Sequence, residues 1–86
     1  MRVRWTKRAV KEMAAIPGPV RHRIIAKVEQ YAEAPPSLGN NVKSLIGTDC
    51  MRLRVGDYRI IFHIEDGGVV EVMVVLNVKH RREAYD

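Results

Sequence analysis

Arg52 and Arg54 stand two residues apart in the run Met51-Arg52-Leu53-Arg54-Val55, where apolar and cationic residues alternate. In an extended strand that spacing sends both guanidinium groups to one face and the apolar residues to the other. Gly56-Asp57 gives a two-residue turn signal, although Asp-Gly is the commoner hairpin order, and Arg59 then opens the next run close to the first pair. The closing segment, Lys79-His80-Arg81-Arg82-Glu83-Ala84-Tyr85-Asp86, adds three more cations, an imidazole and a phenol. Guanidinium groups crowded on one face repel each other until an anion fills the space between them, and their planar forks match phosphate. The spacing leaves a plainer alternative open, a solvated sheet face whose charge is taken up by Asp57 and Glu71. His80 brings the group type best suited to moving a proton near neutrality. His22, His63 and His80 lack metal-ligand spacing and Cys50 is the lone cysteine, so neither a metal site nor a cofactor is expected.

The elements that must carry these groups follow from periodicity. Arg2-Val3-Arg4-Trp5 alternates as a short strand with one buried face. Thr6 offers an N-cap, and Val10, Met13 and Ala14 mark the inner face of a first helix. Pro17-Gly18-Pro19 breaks the pattern, and Val20, Ile24, Val28, Tyr31 and Ala32 define one face of a second helix that Pro35-Pro36 stops. The two helices read as an antiparallel hairpin, and Ser37 to Gly47 as a polar connection. Strands follow at Met51–Val55, Tyr58–Glu65 and, after Asp66-Gly67-Gly68, Val69–Val78. The last is so continuously apolar that a central place in the sheet is expected. The predicted fold is α+β: an N-terminal strand and a helical hairpin packed on a three- to four-stranded antiparallel sheet, order β-α-α-β-β-β, with a short C-terminal tail. Trp5 and Tyr31 are expected in the core, Tyr58 facing the helices, and Cys50 partly buried.

The chain has 86 residues, room for a single domain over 1–86, and 47% of them are hydrophobic. No apolar run reaches the ~20 residues of a membrane span, and the basic N-terminus lacks the apolar stretch of a secretory signal. With a lone cysteine, these features suggest a reducing cytoplasm. The net charge of +5 favours an anionic partner, nucleic acid or acidic protein. The excess is uneven: residues 1–48 hold nine Lys/Arg against three Glu, and residues 49–86 hold six against seven Asp/Glu. A basic site in the second half must therefore arise from which side chains share a face.

Met51-Arg52-Leu53-Arg54-Val55-Gly56-Asp57-Tyr58-Arg59 resembles the strand–turn–strand stretch of the RelE/ParE superfamily of toxins from type II toxin–antitoxin systems. Lys79-His80-Arg81-Arg82-Glu83-Ala84-Tyr85 is similar to the family's closing segment, and the order of elements extends the likeness over nearly the whole chain. The resemblance implies ribosome-dependent cleavage of mRNA in the A site, by attack of the RNA's own 2′-hydroxyl on the adjacent phosphate and without a metal. It places Arg59 on the charged phosphorane, Lys79 or Arg81 at the cation of the terminal segment and Tyr85 at its tyrosine; beside it, Arg81 is expected in catalysis with His80 in a proton step, and Arg52, Arg54, Lys79 and Arg82 on phosphate. Arg52 and Arg54 stand where RelE-type enzymes carry lysines, and a guanidinium does not give up its proton. The proton acceptor therefore has to be His80, Tyr85 or Lys79. The implied partners are an antitoxin with an acidic, helix-forming C-terminal segment, the ribosome with its mRNA, and DNA only through the antitoxin. The competing function is a ParE-type toxin that blocks DNA gyrase without cutting RNA. A member that serves only regulation, through its antitoxin on DNA, is a third.

Overall fold

A computed structural model of the chain describes residues 1–82. The strand β1 (Arg2–Trp5) leads into the helices α1 (Lys7–Ala14) and α2 (Gly18–Glu33). A 3-10 turn at Pro35–Asn41 follows, then strands β2 (Val42–Ser44), β3 (Met51–Val55), β4 (Tyr58–Asp66) and β5 (Glu71–His80). The strands form one five-stranded sheet in the order β1-β5-β4-β3-β2. The α+β class, the helical hairpin and the element order agree with expectation, and two features enlarge it. β1 joins parallel to β5 while the other pairings are antiparallel. The expected polar connection also contains a strand, β2, which pairs with β3 at the sheet's edge.

The helices cover one face of this sheet, and both sides of the core follow the strand alternation. Leu53, Val55, Ile60, Phe62, Met73 and Val75 turn inward from the strands and are buried. Ile24, Val28, Tyr31 and Ala32 meet them from α2, with the Tyr31 ring edge-on to Phe62 at 5.2 Å between centroids. Burial pushes the Tyr31 phenol above its ordinary range. On α1 the inner face is turned from the expected one. Ala9 and Met13 are buried, whereas Val10 is 55% exposed. Ala9 has only a methyl group to place between helix and sheet, so α1 can lie close on β5 with Ala9 innermost. Val10 and Ala14 instead line a groove with Trp5, Met13, Arg21 and Ile25.

One irregularity sets the faces of β5. Ile61 pairs with Asn77 and Phe62 with Val75, so Leu76 is an extra residue, a β-bulge. Before the bulge Met73 and Val75 face the helices; after it Val78 and His80 do, and Asn77 and Lys79 face the open side. The beginning of α1 braces the bulge. The Thr6 hydroxyl accepts a hydrogen bond from the Ala9 amide at 3.2 Å, as an N-cap, and donates to the Leu76 carbonyl at 2.9 Å. Glu12 accepts the Val78 amide at 2.9 Å, satisfying a donor next to the broken ladder.

Candidate functional site

The hairpin between β3 and β4 has Gly56-Asp57 as its two central residues, with Val55 paired to Tyr58. Gly56 has φ of 57° and Asp57 has no positive φ, the pattern of a turn with glycine at the first central position. The Gly-Asp order, unusual for the commonest hairpin turn, is the one this turn needs. Arg54 then lies directly across from Arg59, and Arg59 directly across from Lys79 on β5. Side chains so paired share a face, with their Cβ atoms about 5 Å apart. Arg54, Arg59 and Lys79 therefore form one row across three strands, on the side away from the helices. The bulge at Leu76 brings Lys79 into this row, since an unbroken alternation from Val75 would have turned it toward the helices.

The next row holds Lys43, Arg52 and Ile61, opposite one another on β2, β3 and β4. Lys43 was absent from the sequence-based set because β2 is too short to register as a strand. Its pairing with Arg52 has no signal apart from the sheet.

The start of the C-terminal segment closes over the end of this arrangement. The Arg81 amide donates to the Asp57 carbonyl at 2.7 Å, and its guanidinium lies 3.7 Å from the Asp57 carboxylate. Arg59 reaches the Arg81 carbonyl at 3.4 Å, and Arg54 the Gly56 carbonyl at 3.5 Å. Arg81 and Arg82 are both exposed. Tyr85, expected at the site, lies outside the described residues.

His80 is on the other side. It pairs with Tyr58, and the two rings meet edge to face at 5.2 Å. With Glu12, Ala15, Ile16 and Val78 they line a small pocket of 210 Å³ on the helix side. The His80 Nδ1 atom accepts the Arg82 amide at 3.3 Å, tying the ring to the turn after β5. The structure thus brings Arg52, Arg54, Arg59 and Lys79 together on one face, sets Arg81 and Arg82 at its end, and turns His80 away.

Farther along the open face, the Glu65 carboxylate lies 2.7 Å from His63 Nε2 and 3.5 Å from Arg4. An ionised carboxylate only accepts, so Nε2 carries the proton. The hydrogen bond from His63, aided by the charges of His63 and Arg4, holds the Glu65 carboxyl below the ordinary carboxylate range. No group of three or more acidic, histidine or cysteine side chains able to hold a metal occurs among the described residues.

The cations thus share the open face of a small α+β domain, and comparison with known proteins says to which family such a domain belongs. The family model for the ParE toxin of type II toxin–antitoxin systems matches residues 3–85. The chain belongs to that family. It is similar to Toxin RelE3 of Methanocaldococcus jannaschii, with 34% identity covering 100% of this chain and 97% of the relative. It is also similar to the mRNA interferase toxin RelE of Escherichia coli, with 25% identity over 94% of this chain and 85% of that protein. Among solved structures, the archaeal RelE–RelB complex from Pyrococcus horikoshii superposes with a TM-score of 0.76 at 29% identity, covering 96% and 97% of the two chains. No helix among the described residues is long and apolar enough to cross a membrane.

Proposed function

We propose that this toxin is a RelE-type endoribonuclease that cuts mRNA on the ribosome, held in check by a cognate antitoxin in the cytoplasm. The row Arg54–Arg59–Lys79 carries the reading: three cations on three adjacent strands, directly paired and on the uncovered face. In the proposed reaction the 2′-oxygen of one nucleotide attacks the adjacent phosphorus. The bond from phosphorus to the 5′-oxygen breaks, leaving a 2′,3′-cyclic phosphate and a 5′-hydroxyl. The proton leaves the 2′-oxygen for an acceptor on the protein, and the departing 5′-oxygen gains one. The added negative charge of the pentacoordinate phosphorus is what a preorganised row of cations stabilises, commonly the largest single contribution to such a rate.

Arg59 sits in the middle of the row and is assigned the transition-state charge, with Arg54 and Lys79 on the phosphate oxygens. Arg52, Arg81 and Arg82 hold flanking phosphates. Tyr85 is proposed for a proton step or for holding the reacting nucleotide, while His80, expected there from the sequence but turned to the helix side, is assigned to positioning the turn that carries Arg81 and Arg82. The names of the RelE relatives, and the RelB partner of the archaeal one, support the reading of this toxin as RelE-type.

The matching family model is described by its ParE member, so gyrase inhibition is the second reading. It gives the row of cations no reaction to perform. Single-turnover cleavage of ribosome-bound message separates the two. Arg59→Ala should slow cutting by roughly 10²–10³-fold, and the products should end in a cyclic phosphate. Equal rates for Arg59→Ala and the parent protein would remove Arg59 from the reaction.

A further inference from the structure

Among the open-face cations that the proposed reaction leaves without a task, Arg2 and Arg4 lie together at the sheet edge opposite the one that holds Lys43. Arg2 and Arg4 alternate with Val3 and Trp5 on the edge strand β1, and both are exposed. Their register partners on β5 are Val72 and Val74, and Val74 in turn lies across from His63 on β4. All of these point to the face that carries Arg59. His63 is four residues along β4 from Arg59, which sets this second cluster about 13 Å from the row at the site. Glu65 is the carboxylate that strand alternation turns to this face, and Arg4 and His63 both bind it.

We propose that Arg2 and Arg4 form a second phosphate-binding patch, which holds the RNA strand a few nucleotides from the cleaved bond where it crosses β5 to the sheet edge. The inference rests on RNA being the ligand of the candidate site. Glu65 restrains the patch, since its charge offsets the cations that a phosphate would meet. An acidic protein segment is the other anionic occupant to consider. Docked peptides need apolar anchors as well as charge, and the centre of the patch offers none: Val74, between Arg4 and His63, is 1% exposed, which leaves the half-buried Val72 beside Arg2. The apolar groove of the molecule, lined by Trp5, Val10, Met13, Ala14, Arg21 and Ile25, lies on the helices instead. A phosphate chain needs only the cations.

Binding, not cleavage, tests this. The full chain is titrated with a 12-nucleotide RNA bearing 2′-O-methyl groups, which cannot be cut, and with a dinucleotide that has one phosphate. Substituting both Arg2→Gln and Arg4→Gln should weaken the 12-mer and reduce its slope of log affinity against log salt by about 1.4, at ~0.7 per phosphate contact on a single strand. Dinucleotide binding should stay unchanged. Glu65→Gln should tighten the 12-mer severalfold at low salt, a gain that misfolding does not produce, and Arg4→Lys should keep the parent slope. An unchanged slope in the double variant overturns the inference alone. Equal loss for the dinucleotide does the same, by locating the effect in the first site. A parent protein that binds neither RNA overturns this inference, while cleavage of ribosome-bound message decides the reading of the first site separately. Weakened binding of an acidic antitoxin peptide with unchanged RNA binding assigns the patch to the antitoxin, against the proposal.

Discussion

Arg59 has a cation across from it on each side, Arg54 on β3 and Lys79 on β5. Like charges in that relation destabilise a sheet, so the row is arranged at some cost to the fold. Replacing Arg54 or Lys79 by Gln should therefore leave the melting temperature unchanged or raise it slightly while weakening RNA binding. Thermal unfolding and titration of the same variants check both halves, and equal losses in each would mean the row is structural. His80 calls for a different expectation, because its ring is packed on Tyr58 and holds the Arg82 amide. As a positioning residue for the turn that carries Arg81 and Arg82, His80→Ala should slow cleavage modestly and leave the pH profile in place. A steep loss with an altered profile would make it the proton acceptor. The Glu65 link to His63 and Arg4 gives the sheet a pH dependence of its own. A carboxyl held below its ordinary range contributes stability above that range and loses it as pH falls through the lowered value. The Glu65 carboxyl resonance should thus titrate below the ordinary 4.5, and Arg4→Gln should move it upward.

At the scale of elements, the turn and the bulge decide which groups meet. Gly56 combines a φ of +57° with a Cβ position that would lie 2.6 Å from the Arg23 guanidinium. Gly56→Ala should cost about 1–2 kcal/mol from the backbone alone, read as a melting temperature lowered by on the order of 5–10 °C. Thr6→Ala removes both the α1 cap and the bond to the bulge, and should cost about 1–2 kcal/mol. If the bulge places Lys79, that variant should also weaken RNA binding, and binding unchanged at full folding would uncouple the two. Much of this layout was legible in the sequence. The Arg52–Arg54 alternation, the Gly-Asp turn and Arg59 lie within a few residues, where the period of two fixes a shared face. The bulge was not legible, because Leu76 continues an apolar run in which a skipped residue changes no pattern. His80 and Lys79, both expected at the site, fall on opposite faces as neighbours in any strand do, and the bulge is why Lys79 takes the site side and His80 the helix side. β2 and the parallel pairing of β1 with β5 depend on distant partners, and the α1 face was misjudged because a period read over eight residues tolerates a rotation of one position.

For the whole molecule, the charge excess and the grooves divide the surface by task. The open face is cationic, with Val74 buried among its side chains and Ile61 and Val72 half-buried. The helix side carries a shallow apolar groove of 530 Å³ between Trp5 and Ile25, beside the exposed Val10. An acidic, amphipathic antitoxin helix would suit such a groove and its neighbouring Arg21, leaving the sheet face for RNA. Val10→Glu should then weaken association with the cognate antitoxin without slowing cleavage by the free toxin. A translated message decides whether the cationic row serves RNA cleavage or the toxin acts by gyrase inhibition. Primer extension after brief induction should show cuts in register with codons, and these should vanish with Arg59→Ala at equal protein levels. Intact messages, together with arrest of purified DNA gyrase by the parent protein, would contradict it.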